Sequence, residues 1–419
     1  MDDMVKMIIK DAETPVFIYD YQSIKRNIQQ LNSILPANGN IYYSMKANPN
    51  LAICQTVRQF INNIEVSSLG EIECALKSGF NNKNIIFSGP GKTHEELLMA
   101  IKSKVKINVE SVQELQEINN ICNKQDLSST IMLRINPDFS ISSAGIIMSG
   151  VASQFGIDMS ELSDAIEIIC RSGNMNFHGI SVFIGSQILD AKTIISNTKE
   201  IIRIFLKIQN EYNLAFTELD VGGGFGVSYF NDNQLDIKTV KEGVSYLFHE
   251  YKSELKNVKI YFESGRYLLA DSGSFITKIL YQKQSKGKNY LICDGGFNNT
   301  LISSFFTREI RGNFPIEILS ERELDTDTQK EYYIAGPLCS PSDIIGSKVI
   351  LPQVQSGDLL KIKKVGAYGL TFSPLLFISH AIPAEVLING TNYYITRSRS
   401  TLHDLFKNQH ELPSGFFCG

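Results

Sequence analysis

At 419 residues the chain is too long for one ordinary domain and suits two, and an apolar share of 43% provides for a large core. Its 40 basic and 44 acidic side chains leave a formal charge of -4, with no basic excess to recruit nucleic acid or an anionic membrane surface. No apolar run reaches the roughly 20 residues that span a bilayer, the acidic start Met1-Asp2-Asp3-Met4 is unlike a secretory signal, and seven scattered cysteines without Cys-x-x-Cys spacing argue against a disulfide framework or structural zinc.

These features predict a cytoplasmic protein with reduced thiols. Taken in chain order, Pro15–Tyr19 reads as a strand. Short β-branched runs then follow at Ile41–Lys46, Ile64–Ser67, Ile85–Ser88, Ile107–Glu110, Ile131–Asn136, Gly179–Ile184, Glu218–Val221 and Ile260–Ser264. Between them lie stretches of helical periodicity, among them Glu71–Lys77, Glu95–Lys102, Val112–Cys122, Asp164–Ser172 and Lys192–Tyr212. Eight alternations of strand and helix predict a parallel sheet, and eight strands close a (β/α)8 barrel; an open doubly wound sheet fits the same pattern.

Past residue 270 the rhythm changes. Strand-like runs follow one another at Ser274–Tyr281, Tyr290–Cys293, Tyr332–Ile334, Lys348–Leu351, Leu359–Val365, Ala384–Ile388 and Tyr393–Arg397, separated by turn signals such as Asn389-Gly390. The expected division is a barrel over 25–270 and an all-β domain formed by 1–24 and 271–419, with the Pro15–Tyr19 strand joining the second.

In a closed parallel barrel, functional groups gather at the C-terminal strand ends. Those ends carry Lys46, Ser68, Asn136, Ser186, Gly222-Gly223-Gly224 and Glu263-Ser264-Gly265-Arg266. A lysine buried at a strand end has a lowered pKa and attacks aldehydes well, although a snorkelling lysine explains the same position. The glycine run can present backbone N–H groups to a phosphate or can simply turn the chain; its spacing is not the dinucleotide fingerprint. Glu263 and Arg266 form either a salt bridge or two separate contacts, a carboxylate for a pyridinium nitrogen and a guanidinium for a phosphate. Cys339, in the turn-rich Gly336–Asp343, differs from Cys54, Cys74, Cys122 and Cys170, which read as small buried hydrophobes. Cys418 falls at the frayed end, and His178 and His380 read as structural.

Together these pieces resemble the fold-type III pyridoxal 5'-phosphate (PLP) decarboxylases, the group of diaminopimelate and ornithine/arginine decarboxylases, from Thr14–Asp20 to Pro383–Val386. Tyr43–Asn48 is similar to the family's cofactor-lysine motif and Gly222-Gly223-Gly224 to its phosphate loop. Glu263–Arg266 resembles its Glu-x-Gly-Arg segment, Gly336-Pro337-Leu338-Cys339 its cysteine motif, and Gly366-Ala367-Tyr368-Gly369 the segment supplying a tyrosine to the phosphate. The resemblance implies an alanine racemase-like PLP barrel with a C-terminal β-barrel domain. It gives Lys46 the internal Schiff base and Glu263 the pyridinium. Ser186, Gly222 to Gly224, Gly265, Arg266 and Tyr368 would hold the cofactor, with Phe183 against its ring. Cys339 would reprotonate Cα from the other subunit of a head-to-tail homodimer, and Ser340 and Asp343 would lie at the substrate.

Three departures narrow the substrate. Phe183 stands where the family usually has a histidine, and Ser340 where a carboxylate pairs with the substrate's distal amine. Asn299–Phe305 lacks the Arg-Pro used near a distal carboxylate. Losing a buried charge partner costs about 3 kcal/mol or more, which disfavours diaminopimelate, lysine and ornithine. The same departures mark decarboxylases of secondary metabolism that take glutamate on an acyl carrier protein or acylated amino acids. The competing readings are a free basic amino-acid decarboxylase, a racemase on the same barrel, a non-catalytic PLP-binding protein and an inactive regulator.

Overall fold

The computed structural model describes Met1 and residues 3–139, 146–230, 233–305, 312–325, 327–414 and 416–417, so Cys418 lies outside the described residues. The chain forms two compact units, Tyr21–Ser272 and the combination of Met1–Asp20 with Gly273–Gly419. The first begins at Tyr21 because the helix Tyr21–Asn32 buries Ile24, Ile28 and Leu31, and its Asn27 Nδ2 donates to Leu268 O at 3.2 Å.

Eight strands build that first unit: β1 (Gly39–Ser44), β2 (Asn63–Val66), β3 (Ile85–Phe87), β4 (Lys106–Val109), β5 (Ser129–Asn136), β6 (Met175–Ser181), β7 (Glu218–Asp220) and β8 (Lys259–Ser264). Each pairs in parallel with the next, and β8 pairs with β1, so the sheet is a closed barrel rather than an open one. The strands are short and largely apolar because both of their faces are covered. Helices return the chain between them, several started by a side chain at the strand exit. Ser68 accepts from Glu71 N, Ser111 from Glu114 N, and Thr93 closes a capping box with Glu96.

Side chains two apart on a strand face the same way, and this parity organises the barrel interior. Tyr42, Ile86, Met132 and Tyr261 form an apolar cluster, with the Tyr42 and Tyr261 rings stacked at 4.4 Å. Beside them the buried Lys106 ammonium bonds the Glu218 carboxylate, which His178 Nδ1 also approaches at 3.2 Å. One step further along, Asn108 accepts from Ser181 Oγ at 2.8 Å and donates to Ser88 Oγ at 3.2 Å. The cysteines divide differently from expectation: Cys54 and Cys122 are buried, but Cys74 is half-buried and Cys170 exposed, since Cys170 falls on the solvent side of the helix Leu162–Arg171.

The second unit is a nine-stranded mixed sheet. Its spine is the long strand Gly273–Ser285, antiparallel to Val16–Asp20, Lys288–Cys293 and Leu359–Lys363. Val16–Asp20 also pairs in parallel with Ala384–Asn389, which places the N-terminal strand inside this sheet. The wholly buried Glu385 carboxylate accepts from Tyr19 OH at 2.7 Å and is bonded by Arg397. Two elements were not among those expected from the sequence. The helix Asp3–Ala12 packs Met4, Val5, Ile8, Ile9 and Ala12, at helical spacing, into one hydrophobic cluster, and the edge strand Ile316–Leu319 is half-exposed.

Among the described residues, no helix is long and apolar enough to cross a membrane, and no cluster of His, Cys, Asp and Glu could hold a metal. The Lys106–Glu218 pair sets a stability test. Lys106→Ala leaves a buried carboxylate with only His178 beside it, so denaturant unfolding should show a loss of about 3 kcal/mol or more, partly recovered in Lys106→Ala/Glu218→Gln.

Candidate functional site

The mouth of the barrel, at the C-terminal strand ends, contains a cavity of about 420 Å³. Lys46, Glu65, Arg134, Phe183 and Glu263 line it, together with the β3 exit segment Ser88–Lys92. Lys46 reaches it through a single 3-10 turn, Met45–Ala47, that follows β1. Gly265 makes that turn possible, because a Cβ there would lie 2.7 Å from Ala47 Cβ and 2.8 Å from Ser44 O. The Lys46 side chain is 44% exposed while its partner Glu65 is 3% exposed, and Nζ lies 3.3 Å from Glu65 Oε1. Nζ also sits 5.9 Å from the centroid of the half-buried Phe183 ring. An amine held by a buried carboxylate yet open to the cavity is suited to capture an aldehyde.

On the neighbouring strand stands Glu263, near the end of β8. Burial, then the carboxyls of Asp220 and Glu65, push its own carboxyl well above the usual range, against the pull of Lys46 and Arg134. Arg134 Nη1 donates to the buried Glu110 at 3.0 Å, and its guanidinium lies 4.8 Å from the Phe155 ring centroid. Glu110 also accepts from Gly89 N at 2.6 Å, which ties the β3 exit to the β4 exit. Lys92 is fully used: its ammonium bonds Gly89 O, Asn108 O and Glu114 Oε1 at 2.7, 2.9 and 2.7 Å.

The glycine run after β7 takes φ of +65° at Gly222 and +81° at Gly224, a left-handed geometry in which backbone N–H groups can converge on an anion. At Gly223 a Cβ would come within 1.8 Å of Glu263 O, so the run packs directly on β8. Ser186 belongs to the two-residue strand Gly185–Ser186, which pairs with Ile146–Ile147. Arg266 is 9% exposed, and its Nη1 donates to Tyr229 OH at 3.0 Å.

Four further candidates belong to the all-β unit. Cys339 is exposed and Ser340 half-buried, with Ser340 Oγ accepting from Ser342 N at 3.3 Å. Asp343, expected at the substrate, has two carboxylate oxygens that accept from Phe297 N and Leu338 N, each at 2.8 Å, and the group is 2% exposed. It therefore shapes the loop that carries Cys339. Burial raises its carboxyl, opposed by those two amides. Tyr368 is half-buried at φ +56°, its ring edge-on to Phe372 at 6.4 Å.

Glu65, Glu110, Arg134 and Asp220 were absent from the sequence-derived set. Arg134 lies two residues before Asn136 and Asp220 two before Gly222, so counting back by two from those strand ends recovers both, while Glu65 and Glu110 follow from the inward alternation of their own strands. Ser68 and Asn136, also at strand ends, are structural. Ser68 caps a helix, and Asn136 bonds Asp158 Oδ1 and Gly150 N, each at 2.7 Å.

The description "Pyridoxal-dependent decarboxylase, pyridoxal binding domain" matches residues 21–270. The chain is 37% identical over 414 residues to the L-glutamyl-[BtrI acyl-carrier protein] decarboxylase of Niallia circulans, covering 98% of this chain and 97% of that one. It is 31% identical over 394 residues to the 2-[(L-alanin-3-ylcarbamoyl)methyl]-2-hydroxybutanedioate decarboxylase of Staphylococcus aureus, covering 91% and 96%. A crystal structure of diaminopimelate decarboxylase from Helicobacter pylori complexed with L-lysine superposes with a TM-score of 0.86 at 28% identity, covering 96% of this chain and 98% of that one.

The mouth fits pyridoxal phosphate on its own chemistry, with an accessible amine, a buried carboxyl for the ring nitrogen, and a glycine loop and an arginine for the phosphate. Gly223→Ala tests that frame: forcing a methyl against the Glu263 carbonyl should cost about 2 kcal/mol or more in unfolding experiments and lower the cofactor content of the purified protein. The chain belongs to the pyridoxal-dependent decarboxylases, with an amino-acid decarboxylase's barrel and pyridoxal phosphate as its cofactor.

Proposed function

We propose that this enzyme removes the α-carboxylate of a glutamyl or acylated amino acid whose far end is a thioester or amide, with a carrier protein as the natural bearer. The observation that carries the reading is the pair of uncharged side chains at discriminating positions: Phe183 over the cavity beside Lys46, and Ser340 immediately after Cys339. A distal ammonium would find no carboxylate at Ser340, whereas a thioester or amide asks for none. The Niallia circulans relative, named for an L-glutamyl group on an acyl carrier protein, and the Staphylococcus aureus relative, named for a carbamoyl-linked alanine derivative, support this choice.

Bound pyridoxal phosphate supplies the electron sink that makes loss of CO2 from Cα feasible. The protein's part is positional and protonic. Lys46 would hold the cofactor aldehyde, and Glu65 Oε1 positions its ammonium at 3.3 Å. Glu263 would take the ring nitrogen, since a carboxylate beside a pyridine nitrogen favours its protonated form. Ser186, Gly222 to Gly224, Gly265, Arg266 and Tyr368 would take the phosphate end, Phe183 the ring face, and Cys339 would return a proton to Cα. As in the family pattern, Cys339 and Tyr368 would serve the site in a homodimer. Asp343 enters only through the loop it shapes.

A racemase lacks use for a cysteine placed as Cys339 is, so the measured product decides between the two readings: CO2 and a decarboxylated amine, or an inverted amino acid. Borohydride reduction followed by peptide mapping should place the cofactor on Lys46. Release of CO2 should be efficient from glutamyl thioester or acylated substrates and weak from free diaminopimelate; the reverse order would sink the substrate reading. Cys339→Ala should lower kcat by about 100-fold, the usual worth of a general acid, while leaving the cofactor's absorbance unchanged.

A further inference from the structure

The cavity at the barrel mouth extends to one side. From Lys46 and Glu263, at the C-terminal ends of β1 and β8, it runs to Pro90 and Gly91 beyond β3 and to Met148 and Phe155 beyond β5. In the closed sheet β3 stands across the axis from β7, whose exit carries Gly222 to Gly224. A cofactor held by its phosphate at the β7 and β8 exits and by its aldehyde at Lys46 leaves the β3 and β5 exits to another part of the ligand.

Charged side chains stand at that end, but each is already engaged. The Lys92 side chain is 1% exposed, its ammonium serves Glu114, Gly89 O and Asn108 O, and it lies 5.5 Å from the Phe87 ring centroid. Arg134 meets Glu110 in the same way, with its guanidinium 4.8 Å from the Phe155 ring centroid. Glu96 accepts from Thr93 N at 3.0 Å and Leu69 N at 3.4 Å. What remains along the wall is Pro90, Gly91, Met148 and Phe155, together with the Ser67 hydroxyl, which has no partner among the described residues. A distal ammonium or carboxylate entering here would lose its water without gaining a free counter-charge. An uncharged chain loses far less, and one of its amides can hydrogen-bond Ser67.

We infer that the β3 and β5 exits form the subsite for the uncharged arm that carries the amino acid, a chain containing amides and joined through a thioester or amide. Gly91 and Met148 set the width open to it. The inference rests on the functional reading above and adds where the non-reacting part of the substrate lies. Binding of that remote part then contributes to kcat/KM at the reacting end.

Gly91 makes this testable, because a Cβ there would meet nothing within 4 Å and its φ lies outside the left-handed region. Full-length holoenzyme of wild type, Gly91→Leu, Gly91→Trp and Met148→Trp is given two stable γ-glutamyl amides, one of methylamine and one of aminopantetheine. CO2 release gives kcat/KM for each, and calorimetry gives the affinity for N-acetyl-aminopantetheine, the arm without its amino acid. Wild type should favour the long arm by about tenfold, and the tryptophan variants should erase that preference, chiefly through KM, while keeping the cofactor's absorbance band. Gly91→Leu should fall between. Equal kcat/KM for the two amides in wild type would overturn the inference, as would a long-to-short ratio that neither tryptophan variant alters. If wild type releases CO2 from neither amide, the functional reading fails, and calorimetry still decides the subsite. Saturable binding of the arm that either tryptophan variant weakens keeps it; no binding, or binding that neither weakens, removes it.

Discussion

Everything at the barrel mouth depends on the strict alternation of side chains along eight parallel strands. On β4, Lys106, Asn108 and the following Glu110 point inward in succession, and on β7 Glu218 is followed by Asp220. Closure of the sheet brings these rows together around one axis, so charges distant in sequence become neighbours. Lys106 meets Glu218 across 112 positions, and Arg134 meets Glu110 across 24. Such pairs are tolerable only because each buried charge finds its opposite. That requirement fixes the rotation of the strands as firmly as the apolar cluster of Tyr42, Ile86, Met132 and Tyr261 does.

The mouth then inherits a graded environment. Lys46 remains reachable because its turn ends β1 at the rim, while Glu65 beside it is buried and Glu263 is held against Gly223. Burial without a dedicated cation raises the carboxyls of Glu263 and Asp220, whereas Lys46 and Arg134 pull Glu263 back toward its anion. A single fold thereby supplies an amine for an aldehyde, an acid whose charge is set by its neighbours, and a glycine loop for an anion. Within the all-β unit, a loop bearing Cys339 and Ser340 takes its shape from Asp343, which accepts two backbone amides.

Membership of the decarboxylase family and the identity of the substrate rest on different physics. The cofactor's demands are met by groups whose chemistry is fixed: amine, carboxyl, guanidinium and glycine. In the proposed reading, substrate choice turns on what is missing, a charge partner at Ser340 and a polar ring at Phe183, and discrimination by an absent partner works through the cost of stranding a charge.

The sequence by itself determined the alternation of eight strands with helices and the change to an all-β rhythm past residue 270. It also determined the chemical types at the strand ends, including Lys46, the Gly222 to Gly224 run, Glu263 and Arg266. These are local properties, written in periodicity and in residues that punctuate the chain. Only the tertiary structure decided that the sheet closes, that Glu65, Arg134 and Asp220 join the site, and that Asp343 serves its loop. Ion pairing and burial depend on which side chains meet across the barrel, and sequence spacing does not encode that distance. The helix Asp3–Ala12 shows the same limit: its apolar residues Met4, Val5, Ile8, Ile9 and Ala12 recur at helical spacing, but the sheet they pack against is decided by the fold.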